Sequence, residues 1–168
     1  IKMSNNIMLD VETMGKGSEA AIIAIGAVRF DKCVTDRFYE VVDLQSSVDA
    51  GMKIDADTIM WWMKQSAEAR KQFELFGHHL AGCLQKFSAW IGEKAVVWGN
   101  GASFDNVILA NAYQKLSLTQ PWQFYNDRCY RTVKNLYPQI KLQRSGIYHC
   151  AVDDAESQAR HLIKIMKK

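Results

Sequence analysis

The chain has 168 residues, 48% of them hydrophobic, with 21 basic and 18 acidic residues for a formal net charge of +3. That length and apolar content supply one substantial core but not obviously two, so a single domain over 3–168 is expected, with Ile1 and Lys2, ahead of Met3, read as additions to it. The small net charge excludes binding of nucleic acid through a strong global field, and no stretch approaches the ~20 apolar residues of a membrane span.

Ile7 to Thr13, Ile-Met-Leu-Asp-Val-Glu-Thr, reads as a strand carrying two acids in an apolar run. Side chains alternate along a strand, so Asp10 and Glu12 emerge on one face about 6 to 7 Å apart, while Leu9 and Val11 turn to the other. Two adjacent carboxylates repel. Near neutral pH such a pair is stable only if protonated, separated by water or bridged by a hard cation such as Mg2+ or Mn2+. An edge strand with two solvated acids is the bland alternative, because D-x-E alone is a weak motif.

Met14 to Ser18 forms a loop, and Ala20 to Phe30 and Val34 to Leu44 follow as strands, with loops short enough for an antiparallel meander. Asp55 or Asp57 can cap a helix through about Gln65 that places Ile59, Trp62, Met63 and Ser66 on one side and Trp61 on another flank. A helix over His78 to Trp90 has Leu80, Leu84, Phe87 and Ile91 as its inner stripe and Gly92 at its end. Ala95 to Trp98 is short and apolar, like a buried parallel strand. Ser103 caps a helix through about Lys115, a short strand lies near Trp122 to Tyr125, and a helix from Asp127 to about Tyr137 ends at Pro138. Gln139 to His149 has no periodicity and reads as a long loop, the kind of segment that carries function. Val152 to Met166 is the clearest helix, with Val152, Ala155, Ala159, Leu162, Ile163 and Met166 along one face.

Strands in a meander, then alternating with helices, point to an α/β sheet of mixed direction, in which ligands gather at strand carboxyl ends. Asp10 and Glu12 sit at one such end, and the loop from Trp98 to Asp105 leaves another. Asp105 falls in the first helical turn, where the helix dipole favours a negative charge. Asp153 or Asp154 opens the last helix after His149, and these residues also fit plain helix-start acids and a surface histidine. Basic residues cluster at Lys64, Arg70 and Lys71, and again at Arg128, Arg131, Lys134, Lys141 and Arg144, the second set interleaved with Tyr130 and Tyr137; a solvated charge run is the simpler reading of both. The cysteines, Cys33, Cys83, Cys129 and Cys150, form no C-x-x-C pair, which speaks against a zinc ribbon or a thioredoxin-type site. With no apolar signal core at the amino terminus, a cytoplasmic protein with no membrane association is expected.

Taken together, D-V-E-T at 10 to 13, N-G-A-S-F-D at 100 to 105 and H-C-A-V-D-D at 149 to 154 resemble the DEDDh 3'-5' exonucleases, over nearly the whole chain. The stretches A-I-I-A-I-G-A-V-R-F-D, D-T-I-M-W-W and W-G-N-G-A-S-F-D are most similar to short phage and prophage exonucleases of the exodeoxyribonuclease VIII type and a related mycobacterial exoribonuclease. The resemblance implies a ribonuclease H-like fold, a five-stranded mixed β-sheet flanked by α-helices. It also implies hydrolysis of single-stranded DNA or RNA from the 3' end to nucleoside 5'-monophosphates. On this resemblance Asp10, Glu12, Asp105 and Asp154 hold two ions, Mg2+ or Mn2+, and His149 takes a proton from the attacking water, with Asp153 as the runner-up ligand. Thr13 would meet the terminal sugar, Met14 a base, and Trp61 would stack on a base, while Trp62, Trp90 and Trp98 pack in the core. Several relatives are homodimers, so a homodimer is among the assemblies implied. A binding module that has lost catalysis is the alternative, but it would have no need of clustered carboxylates that repel phosphate.

Overall fold

The computed structural model describes residues 5–101 and 103–167. Ile1 and Lys2, the ends of the expected domain, and Ala102 of the N-G-A-S-F-D motif lie outside the described residues.

β1 (Asn6–Thr13), β2 (Ile22–Phe30) and β3 (Val34–Val41) form the antiparallel meander. β4 (Val96–Gly99) and β5 (Asp127–Cys129) add in parallel on the other side of β1, giving the order β3-β2-β1-β4-β5. The helices are α1 (Leu44–Asp49), α2 (Ala56–Met63), α3 (Ala67–Arg70), α4 (Leu80–Ile91), α5 (Asp105–Lys115), α6 (Tyr130–Leu136) and α7 (Ala151–Met166), with single 3-10 turns at Lys71–Glu74 and Phe124–Asn126. None of these helices is long and apolar enough to cross a membrane, and all four cysteines are free thiols.

The central strands are apolar on both faces because helices cover both. Ile7, Leu9 and Val11 of β1 pack with Leu84 and Phe87 of α4 and Ile108 of α5. Met8 turns the other way, against Val28, Tyr130 of α6, and Val152, Ala155 and Leu162 of α7. Asp10 and Glu12 share the parity of Met8, so both carboxylates emerge on the side covered by α6 and α7. Two glycines set how closely the helices approach. Gly26 pairs with Asp10 in register, and a Cβ there would lie 2.2 Å from the Ala151 carbonyl carbon and Val152 nitrogen; its absence lets the start of α7 sit directly on β2. A Cβ at Gly99 would lie 2.2 Å from Asn106 Oδ1, so that glycine brings the start of α5 against the end of β4.

Several expected boundaries differ. Strand three ends at Val41, and Asp43, accepting from Ser46 N, opens α1 instead. α1 and α3 are too short to show a period. Asp55 does precede α2, but its carboxylate accepts from Lys16 N rather than capping the helix. The buried face of α2 is Thr58 and Trp62, whereas Ile59 and Met63 are exposed, because a single-turn contact with Ile23 and Ala69 replaces a wide apolar stripe. The residue before α5 is Phe104, without a side-chain cap, and Ser103 does not serve as one. The strand expected at Trp122 to Tyr125 forms only at Asp127–Cys129, and α6 starts at Tyr130: Trp122 is drawn into the core beside Phe87 and Tyr113, and its indole donates to Asp127 Oδ1 at 2.8 Å. Met166, expected on the inner face of α7, is exposed.

Candidate active site

A cleft of about 640 Å3 opens at the carboxyl ends of β1 and β4, between the starts of α5 and α7 and the flank of α2. Asp10, Glu12, Asp105, Asp154 and His149 all line it, as do Thr13 and Trp61. The three aspartates are held by their neighbours. Asp105, at the first residue of α5, accepts from Val11 N and Asn100 N at 3.1 Å each, tying β1 to the loop after β4. Asp10 accepts from Gln158 Nε2 at 2.9 Å. Asp154 accepts from His149 N at 3.1 Å with one oxygen and from the Arg144 guanidinium at 2.5 Å with the other.

Burial and repulsion act together on this cluster. Asp10 is pushed well above the ordinary aspartate range by burial first, then by Asp105, Glu12 and Asp154. Glu12 is raised for the same reasons, with Asp154 its strongest charged neighbour. Burial raises Asp105 to about 6 against the pull of its two backbone N–H donors. Burial also raises Asp154, opposed by Arg144. Such a donor set fits a divalent cation: oxygen ligands whose mutual repulsion a positive ion would relieve. Ligand atoms of Glu12, Asp154 and His149 already lie within 4.8 Å of one another.

His149 adopts the left-handed backbone region at φ 64°, which is costly for a residue with a Cβ. Gln72 Nε2 holds it there by donating to its carbonyl at 2.9 Å, and its ring meets Trp61 edge-on at 4.9 Å and lies 3.7 Å from the Tyr148 ring. Burial lowers its pKa, overriding the upward pull of Asp154, with Arg144 adding to the depression. The proximity of carboxylates alone would have raised it.

Asp153, one residue from Asp154, points away: it pairs with Arg37 of β3 at 2.8 Å and accepts from Ile147 N. Met14 does not line the cleft. An irregularity in the β1–β2 register between Glu12 and Thr13 breaks the alternation that would have carried Met14 to the face of Asp10 and Glu12. It packs instead behind Trp62 with Ile23. The Thr13 hydroxyl is committed to the Gly15 carbonyl at 2.7 Å, and its own carbonyl accepts from the Trp62 indole. Trp61 is 42% exposed against 3% for Trp62, so Trp61 presents the free ring. Trp98 is buried and Trp90 packs on Phe38. Tyr148 and Gln158 also line the cleft and were not reached by sequence reasoning, which had Asn100 and Phe104 only as members of a motif and Arg131 and Arg144 only as part of a basic cluster. Gln158 carried a signal, a polar residue one turn beyond Asp154 on an otherwise apolar face.

Residues 5–166 match the family model described as the 3'-5' exoribonuclease Rv2179c-like domain. The chain is 27% identical over 157 residues to an exodeoxyribonuclease of Enterobacteria phage T4, an alignment spanning 76% of this chain and 69% of that one. In structure it is similar to the nuclease domain of 3'hExo, a DEDDh family member bound to rAMP, with a TM-score of 0.65, 15% identity, and 99% and 93% of the two chains covered. It is also similar to S. pombe Pop2p in its Mg2+- and Mn2+-bound form, with a TM-score of 0.62, 14% identity, and 98% and 84% covered.

Proposed function

Because this chain belongs to the family of 3'-5' exoribonuclease Rv2179c-like domains and is a 3'-5' exonuclease of ribonuclease H-like fold, we propose that it removes nucleotides from the 3' end of single-stranded RNA or DNA as 5'-monophosphates, with Asp10, Glu12, Asp105 and Asp154 holding two divalent cations. The observation that carries this reading is the convergence of those four acids and His149 on one cleft. Bound there, Mg2+ or Mn2+ would supply Lewis-acid stabilisation of the charge that develops on the phosphate oxygens.

The chain's own residues supply position and proton transfer. The backbone donors at Val11 and Asn100 fix the Asp105 carboxylate, Gln158 orients Asp10, and the His149 N–H orients Asp154. Binding of cations would draw protons off acids whose pKa values are raised, so metal uptake should be coupled to proton release. A proton acceptor must be neutral at working pH. The depressed pKa of His149 meets that need, and its ring is fixed by Trp61 and Tyr148. Trp61, exposed at the cleft beside His149, suits stacking of the terminal base, with Thr13 at the sugar. Met14 has no part in this proposal. A homodimer is the assembly implied by the resemblance, and light scattering would read it.

The test is incubation of purified protein with 5'-labelled single-stranded RNA and DNA of equal sequence, with Mg2+ or Mn2+. A ladder shortening by single nucleotides from the 3' end in at least one of them is expected. Full-length label in both, or internal cuts appearing first, would reject the reading.

A further inference from the structure

Residues 128–152 contain Arg128, Arg131, Lys134, Lys141 and Arg144 and no aspartate or glutamate, so this segment carries +5 while the rest of the chain, with 16 basic and 18 acidic residues, sums to −2. The imbalance is gathered in space as well as in sequence. Arg131 and Arg144 line the cleft, the Arg131 guanidinium lying 3.4 Å from where a Cβ on Gly101 would sit. Lys134 is one turn beyond Arg131 on α6, a spacing that sets Cβ atoms about 5–6 Å apart on one face. Partial burial first, and then the nearness of both arginines, pushes its ammonium below the usual lysine range. Lys134 and Lys141 in turn line a second groove of about 310 Å3 with Pro138, Ile140 and Leu142. Among the described residues none of Arg131, Lys134 and Lys141 forms an ion pair. Arg131 has Asp105 near it in the cleft, but Lys134 and Lys141 share a groove lined by no acid, and like charges so placed lower their energy by sharing an anion. A row of them leading out of a cleft suits a chain of anions.

We infer that the row Arg131, Lys134 and Lys141 is a phosphate track that carries the 5'-ward part of a single strand from the cleft into the groove between α6 and the loop after it, so that the protein grips strands several nucleotides long. This rests on the nuclease reading for what enters the cleft, but the track itself is a binding surface and can be measured without turnover. Exposed Tyr137 flanks the row, and base stacking on such a ring is tolerant of sequence, as a trimming enzyme requires.

The decisive variant is Lys134→Gln with Lys141→Gln, which leaves every acid and His149 untouched. Affinity for a 5'-labelled single-stranded octanucleotide, read by fluorescence anisotropy in EDTA across salt concentrations, should fall. Each phosphate contact contributes about 0.7 to the slope of log affinity against log salt, so two lost contacts should reduce the slope by about 1.4. The wild-type advantage should then shrink about sevenfold between 50 and 200 mM salt. Lys134→Arg with Lys141→Arg should restore it. Hydrolysis of thymidine 5'-monophosphate p-nitrophenyl ester with Mn2+, which needs only the cleft, should be the same in wild type and both double variants. Equal octanucleotide binding by wild type and the glutamine variant would overturn the track, as would equal competition by an octaglutamate peptide, which would mark a site for any acidic chain. An inert ester together with lost octanucleotide binding in the glutamine variant would sustain the track and reject the nuclease reading.

Discussion

Four carboxylates gathered in one buried cleft should make the metal-free protein less stable at pH 8 than at pH 5, the reverse of ordinary acid denaturation. The Asp105 carboxyl is raised from 3.8 to about 6 by burial. A folded-state value above the unfolded one means that the native state holds the proton more tightly. That stability is fully present below about pH 4 and is lost as pH rises through 6. At about 1.36 kcal/mol per pKa unit the whole shift is worth on the order of 3 kcal/mol, about half of which is lost between pH 5 and pH 6. For a chain of this size 1 kcal/mol moves Tm by roughly 2–4 °C, so Asp105 alone should lower Tm by about 3–6 °C between pH 5 and pH 8. Asp10 and Glu12, both raised well above their ordinary values, act in the same direction and enlarge the fall, and together with Asp105 they outweigh the opposite contribution of His149, whose pKa burial lowers. Thermal denaturation followed by circular dichroism in EDTA would read it, and Mn2+ at pH 8 should close the gap by replacing the protons. A metal-free Tm that is flat or rises from pH 5 to pH 8 would refute the account of mutually destabilised acids.

Asp10→Asn should abolish hydrolysis yet melt no lower than wild type in EDTA at pH 8, because its amide oxygen can still accept from Gln158 while one repelling charge is gone; the Mn2+-dependent rise in Tm should be lost, and retained turnover would count against the metal assignment. His149→Ala should cost roughly 10²- to 10⁴-fold in turnover with metal affinity nearly unchanged. Since burial lowers its pKa, the wild-type rate should climb with pH at values below 6.5 and be level above, and the variant should lose that limb; wild-type turnover in the variant would dismiss His149 as the acceptor. A circular single strand, or one ending in a 3'-phosphate, should resist the enzyme, and rapid cutting of circles on a gel would mark an endonuclease. Gly26→Ala should destabilise by about 1–3 kcal/mol, as overpacking does, and lose activity beyond that because the shift moves Asp154; unchanged activity in a folded variant would show that the close approach of α7 is dispensable.

The parts of the fold that were legible in the sequence are those where one periodicity rules. The three meander strands, α4 with its stripe of Leu80, Leu84 and Phe87, and α7 with Val152, Ala155 and Leu162 all follow from alternation or helical spacing. What failed was decided by single side-chain contacts. The Trp122 indole reaching Asp127 moved a strand by five residues, and Asp43 opened a helix where a strand was expected to continue. At the cleft, strict alternation placed Asp10 and Glu12 on one face, and the register irregularity just beyond them turned Met14 away. No pattern in a single sequence marks that irregularity.

Asp153 and Asp154 show why a neighbouring pair of acids cannot be sorted by spacing. Successive residues on a helix differ by about 100° in direction, so one of the two must leave the cleft, and which one depends on what waits on the other flank. Arg37 waits there and takes Asp153, while Asp154 stays with Glu12 and His149. The displaced acid is not idle. Asp153 accepts from Ile147 N, Asp154 from His149 N, and Ser157 Oγ from Ser145 N, so the polar flank of α7 fastens the loop that has no periodicity of its own. That fastening, with Gln72 gripping the His149 carbonyl, holds His149 in its left-handed backbone and keeps its ring beside Glu12. One helix thereby packs the core through its apolar face, carries a carboxylate into the cleft, and fixes the loop that brings the histidine. Its seating on β2 at Gly26 therefore governs the cleft as much as the acids themselves do.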